Sequence, residues 1–190
     1  MFDDFMEDEW NSLDELLKRY EDVKNGESSS IMDEEDFERV IEYYFQNSNE
    51  EQALLACDIA RTYYPFSTSV LLLKAEILVQ AQKYGQAMHA LDELEQSDSS
   101  NLDATLLRSD ILLGQFKYDQ AAVLLEQRAE NFQGKEKIEV LLELTDVYDE
   151  CEEFDAVFDT LNRVLKIDSR NEEALQKICF WADFTKRLDD

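Results

Sequence analysis

An all-α fold of stacked helix–turn–helix units is predicted by three observations. Leu71, Ala75, Leu78, Tyr84, Ala87 and Leu91 recur in kind 34 residues later as Thr105, Ser109, Leu112, Tyr118, Ala121 and Leu125. They recur 34 residues earlier as Phe37, Ile41, Tyr44, Glu50, Ala53 and Cys57, and a copy displaced by 36 gives Leu141, Thr145, Tyr148, Phe154, Val157 and Leu161. Within each copy, spacings of three and four between apolar or small residues mark two amphipathic helices. Finally, the 4 glycines and 1 proline leave few places for the chain to stop being helical.

The elements follow in order. A first helix is expected over residues 3–24, where Phe2, Phe5, Met6, Trp10, Leu13, Leu17 and Tyr20 form an apolar stripe among acids. Ends of repeat arrays need special caps, so this helix is expected to dock on the first repeat. The alternative is that it lies in the ligand groove as a built-in occupant. A flexible connection, NGESSS, follows at 25–30, and Asp33 opens the acidic start of the next helix. First helices of the units are predicted at 34–46, 68–80, 102–114 and 138–150, and second helices at 49–63, 84–96, 118–131 and 154–167. The two extra residues before the fourth unit are assigned to an extended turn near Gly134. Small residues, Ala75, Ser109, Ala87 and Ala121, suit places where helix backbones approach closely. The aromatics opening the second helices, Tyr84, Tyr118 and Phe154, would fill the gap beside each turn. Pro65 falls where the first unit ends.

These units resemble tetratricopeptide repeats, whose 34-residue helix–turn–helix unit carries large, small and aromatic residues in this order. The resemblance covers residues 34–171 as four units (34–67, 68–101, 102–137, 138–171), with a partial fifth at 172–190. Residues 1–33 are then a capping helix and linker. It implies a right-handed α-α superhelix whose concave face, lined by the first helices, holds an extended or helical peptide. Departures from the family pattern include Lys74 and Arg108 at positions that are usually apolar, Ile41 at a small one and Glu50 at a tyrosine.

The last predicted helix, 172–188, is unusual for an end. Leu175, Ile178, Cys179 and Ala182 would pack, while Phe180, Trp181, Phe184 and Leu188 add apolar surface elsewhere. A continuing array, a homodimer through Leu175 to Leu188, or closure of one end of the groove would each cover it.

Composition narrows the function. With 45 acidic against 18 basic residues the formal net charge is −27, which repels phosphate backbones and anionic membranes. A basic segment of another protein is the natural complement. No run is long enough to span a bilayer. The start, MFDDFMEDEW, lacks the pattern of a secretory signal, and Cys57, Cys151 and Cys179 fit no paired framework or metal spacing. A reducing cytoplasm is the expected home, with Cys57 and Cys179 buried and Cys151 in a turn.

No constellation of an active site is present, so neither catalysis nor a cofactor is expected. His89, the sole histidine, is expected to face solvent, and the acidic turn Asp149 to Asp155 lacks the spacing of a calcium loop. The candidate site is the inner face of the first helices. Glu38, Glu42 and Phe45 lie on that face, then Leu72, Glu76 and Val79, then Leu106, Asp110 and Leu113, then Leu142, Asp146 and Asp149. The middle member is acidic each time, beside a strip of apolar residues. A basic or amphipathic segment is the expected occupant. The branch of the family that grips carboxyl termini uses Lys, Arg and Asn, whereas the corresponding positions here are Glu38, Glu42, Leu73, Asp103 and Leu107, so that ligand class is not expected. The reading is a non-enzymatic interaction scaffold. An export or assembly chaperone and a regulatory arm of a longer protein are the alternatives.

Overall fold

The computed structural model describes residues 2–26 and 32–185, with side chains from Leu13 to Phe184. Among the described residues there are ten helices and no strand. A leading helix, α1 (Phe2–Lys24), is followed by pairs. These are α2 (Glu34–Gln46) with α3 (Glu50–Tyr63), and α4 (Thr68–Gln80) with α5 (Tyr84–Ser97). Next come α6 (Leu102–Gly114) with α7 (Tyr118–Ala129), α8 (Gly134–Glu150) with α9 (Phe154–Ile167), and finally α10 (Glu172–Thr185). The chain forms two compact units, residues 1–98 and 99–190. The stripe residues Phe2, Phe5, Met6 and Trp10 lie outside the described side chains. Leu188 and most of the connection at 25–30 lie outside the described residues.

The starts of α2, α3, α4 and α6 are set by short polar side chains, whereas α5, α7, α8 and α9 have no side-chain cap. Asp33, Asn49, Ser67 and Asn101 each accept a hydrogen bond from the backbone N–H three residues on, satisfying a donor that the helix leaves free. The turn inside each pair repeats with equal fidelity. Ser48, Gln82, Phe116 and Glu152 adopt φ of 55, 55, 59 and 59°, left-handed backbone without glycine. At each turn the left-handed residue donates to the carbonyl three back, and the next residue to the carbonyl five back. In the second pair these are Gln82 to Val79 at 2.9 Å and Lys83 to Leu78 at 2.8 Å. This double bond pattern closes the orphan carbonyls at the end of a helix and reverses the chain.

The core of the first unit joins Leu16, Tyr20 and Val23 of α1 to Phe37, Val40 and Ile41 of α2 and to Ala53, Ala56, Cys57 and Ala60 of α3. The α1 helix is fixed at its rim by Arg19 with Asp36 (3.1 Å) and by Lys24 donating to Gln52 (3.1 Å). Tyr20 is fully buried with its hydroxyl unbonded, and burial pushes that phenol's pKa up. In the second unit Ala121, Leu125 and Ala129 of α7 meet Leu141, Leu144 and Val147 of α8 and Val157, Leu161 and Val164 of α9. The small residues Ala75, Ala87, Ser109 and Ala121 are all fully buried.

Two expectations are corrected. The extra residues before the fourth pair lengthen α8 to 17 residues, against 13 in α2, α4 and α6, instead of forming an extended turn. Gly134, at φ 56°, allows the sharp entry, and Phe132, two residues earlier, is buried. Cys179 is exposed, because α10 is rotated from the expected face. Ala174 is buried and Ile178 and Trp181 pack on the core, whereas Leu175 is exposed. Tyr84, Tyr118 and Phe154 are half-buried, and Tyr118 lies edge-on to the turn residue Phe116 at a ring separation of 6.4 Å. Phe154 also meets Trp181 at a ring separation of 4.9 Å, with Phe180 and Phe184 remaining 61% and 64% exposed beside it.

Candidate functional site

On an α-helix, residues four and then three apart share one face. In the first unit that spacing puts Glu42 and Phe45 on one face of α2, and Leu72, Glu76 and Val79 on one face of α4. Glu42 is exposed and the other four are half-buried, with Phe45 resting on the core. Glu38, one turn before Glu42, accepts a hydrogen bond from Ser69 Oγ of α4, so it also ties the two first helices together. Ser69 approaches Glu34 as well, at 3.2 Å.

In the second unit Leu106 and Leu113 of α6 and Leu142 of α8 are half-buried against the core, while Asp110 and Asp146 are exposed. The apolar strip is therefore a shelf partly sunk into each unit. The most exposed large apolar side chains lie elsewhere, on turns (Phe66 at 82%, Phe116) and on α10.

The acids of the second unit form a coupled group that includes one residue the pattern did not single out. Glu143 is half-buried and accepts a bond from Ser109 Oγ at 3.1 Å. Burial raises its pKa above the ordinary carboxylate value, and the charges of Asp110 and Asp146 raise it further. Loss of water neighbours also raises Asp110, although its tip remains open. Asp149 is raised by burial, then by Asp146 and Glu150. Lys177 of α10 answers this group by binding Asp146, with Glu173 at 3.3 Å. Burial works against the lysine's charge, but the bonds and charges of Asp146 and Glu173 prevail and raise its pKa. Asp146 is thus already engaged by a cation of its own chain.

A carboxyl whose pKa is raised in the folded state binds more protons there than in the unfolded chain. Its contribution to stability therefore falls as pH rises through the window above the ordinary Glu value. Glu143→Gln removes that penalty and keeps an acceptor for Ser109. The unfolding midpoint at pH 7 is expected to rise, and the loss of stability between mildly acidic and neutral pH to flatten. A lower midpoint at pH 7 would contradict this reading of the buried acid.

Elsewhere, His89 is 77% exposed and its Nδ1 lies 2.9 Å from Glu93 Oε1. Among the described residues no group of three or more His, Cys, Asp or Glu side chains could hold a metal ion. No described helix is long and apolar enough to cross a membrane.

Neither a family model nor a curated protein matches the sequence. Solved structures do match. A tetratricopeptide repeat protein from Parabacteroides merdae aligns over 97% of this chain and 73% of its own, with a TM-score of 0.67 at 12% identity. TTC0263, a tetratricopeptide repeat protein of Thermus thermophilus, aligns over 92% of this chain and 93% of its own, with a TM-score of 0.62 at 13% identity. YrrB, described as a tetratricopeptide repeat protein with an unusual peptide-binding site, covers 92% and 85% with a TM-score of 0.58 at 13% identity. The recurring left-handed turns, the buried small residues and these alignments agree: the chain has the tetratricopeptide-repeat fold.

Proposed function

We propose that this protein is a non-enzymatic interaction scaffold that holds a basic, amphipathic segment of a partner protein on the acid-bearing faces of the first helices within each unit. The observation that carries the reading is the recurrence of an acid, Glu42, Glu76, Asp110 and Asp146, at one register position beside half-buried apolar residues in each unit. An amphipathic segment would bury its apolar side on that shelf and set its lysines against Glu42, Glu76 and Asp110, Asp146 being already paired with Lys177. The net charge of −27 would speed the encounter. That YrrB has a peptide-binding site on the same fold supports a peptide as the ligand class.

The test uses the full chain and a fluorescein-labelled peptide of lysine and leucine patterned as an amphipathic helix. Saturable binding that weakens with salt is expected. Glu76→Lys and Asp110→Lys should each weaken it several-fold, and together by tenfold or more, with helicity unchanged. Glu51→Lys with Asp159→Lys changes the net charge equally at exposed positions of α3 and α9, and should have little effect. Equal losses from the two pairs would mean bulk charge without a site, and would reject the assignment.

A further inference from the structure

The register position that carries an acid on α2, α4, α6 and α8 carries an aromatic ring on α10. Phe180 stands 34 residues after Asp146, as Asp110 stands 34 after Glu76. Lys177, which reaches Asp146 of α8, lies three residues before Phe180, and Phe184 lies four after it. Phe180 and Phe184 therefore share the side of α10 from which Lys177 meets the acid-bearing face. At this end of the second unit, recognition by charge gives way to recognition by rings.

The rings of Phe180 and Phe184 lie 6.3 Å apart, and more than half of each side chain is open to water. Trp181 backs both, at 5.1 Å from Phe180 and 5.3 Å from Phe184, and is itself packed on the core. Phe154 of α9 completes the patch at 5.9 Å from Phe184. Contiguous apolar surface with a polar rim marks a place where something docks. Here the rim is acidic. A cavity of about 420 Å³ beside Phe154 is lined by Glu152, Glu153 and Asp155, and all three are exposed. Lys177 adds no net positive charge beside the rings, because Asp146 and Glu173 both engage it.

Resting on the proposed occupancy of the acid-bearing face by a basic segment, we infer that this patch anchors one end of that segment through a bulky apolar side chain flanked by arginines. The apolar side chain gains burial on Phe180 and Phe184. A guanidinium is planar and weakly hydrated, so it can stack on an aromatic face and still pair with the carboxylates of Glu152 and Glu153. A second copy of this chain fits less well. It would set an identical acidic rim against this one, with a net charge of −27 on each side, and like charges opposed across an interface disfavour it.

The test is fluorescence anisotropy on the full chain with the labelled lysine–leucine peptide extended by arginine–tryptophan–arginine, in one version at its amino end and in another at its carboxyl end. Counterparts carry arginine–serine–arginine, which has the same charge. One tryptophan version is expected to bind at least tenfold tighter than its serine counterpart. Phe180→Ser with Phe184→Ser should erase that difference and leave the unextended peptide unchanged. Both rings are largely exposed, so the fold should survive, as circular dichroism can verify. Glu152→Gln with Glu153→Gln should weaken the extended peptide several-fold. Glu50→Gln with Glu51→Gln, an equal change of charge at exposed positions of α3, should not. Equal affinity for the tryptophan and serine versions, a gain that survives the two serines, or equal losses from the two glutamine pairs would overturn the proposal. Sedimentation that shows dimers of the chain, lost with the same two serines, would also overturn it by giving the patch to a second copy. Failure of the unextended peptide to bind would reject the proposed function and the anchor with it, whereas normal binding without the gain would reject the anchor alone.

Discussion

Phe37→Ala is expected to lower the stability of the first unit by about 3–5 kcal/mol, the range for deleting a fully buried aromatic ring. Phe37 has no exposed surface and belongs to the core that joins α1, α2 and α3. Its ring lies 5.7 Å from that of Tyr63 and 6.2 Å from that of Tyr64. The cost should fall in the upper part of the range because the neighbours cannot close the hole. Tyr64 is held in place by its hydroxyl, which donates to Met32 O at 2.8 Å. The α1 helix is pinned by Arg19 to Asp36, one residue from Phe37 itself. A cavity that cannot collapse keeps its full penalty. Urea denaturation would give the loss, and amide exchange over residues 32–64 would show faster opening. A cost below about 1 kcal/mol would mean that this core repacks freely, contrary to the tight alternation of large and small residues.

How much of this was legible in the sequence follows from what a repeat encodes. The starts of α2, α3, α4 and α6 were readable because Asp33, Asn49, Ser67 and Asn101 are short polar residues ahead of apolar periodicity, whereas the early start of α8, with no side-chain cap, was not. The buried small positions were readable because Ala75, Ser109, Ala87 and Ala121 recur at a fixed interval. The turns were not. Their left-handed residues are Ser48, Gln82, Phe116 and Glu152, none of them glycine, so composition gives no sign of the conformation. The rotation of α10 was missed because Leu175 and Cys179 are more apolar than Ala174. Packing instead follows Ala174, which is small enough to be buried, with Ile178 and Trp181 on the same face. The acidic register position, too, reads as four equivalent rungs. Spacing says which face a carboxylate occupies, but it does not say which lysine reaches it. Only the packing of α10 brings Lys177 to Asp146, and only the depth of Glu143 makes it part of the group.

Leu141→Ala in the second unit is the companion to the first substitution and tests the repeat itself. Phe37, Leu71, Thr105 and Leu141 occupy one register position, and all four are buried. A structural slot shared by four repeats should cost in proportion to the apolar volume each residue places there. Leu141, fully buried among Leu125, Leu144 and Leu161, should therefore lose about 3 kcal/mol on truncation. Thr105 fills the same slot with a hydroxyl that donates to Asn101 O at 3.0 Å, the residue that caps α6. Thr105→Ala removes one methyl and one modest hydrogen bond but gains helix propensity, so it should cost about 1 kcal/mol. The pair lies within one unit, and both losses can be read from the same urea transition. A ratio near three supports equivalent slots filled by unequal side chains. Equal losses at the two positions would mean that the shared register reflects sequence spacing without shared packing, and the repeat would lose its physical content.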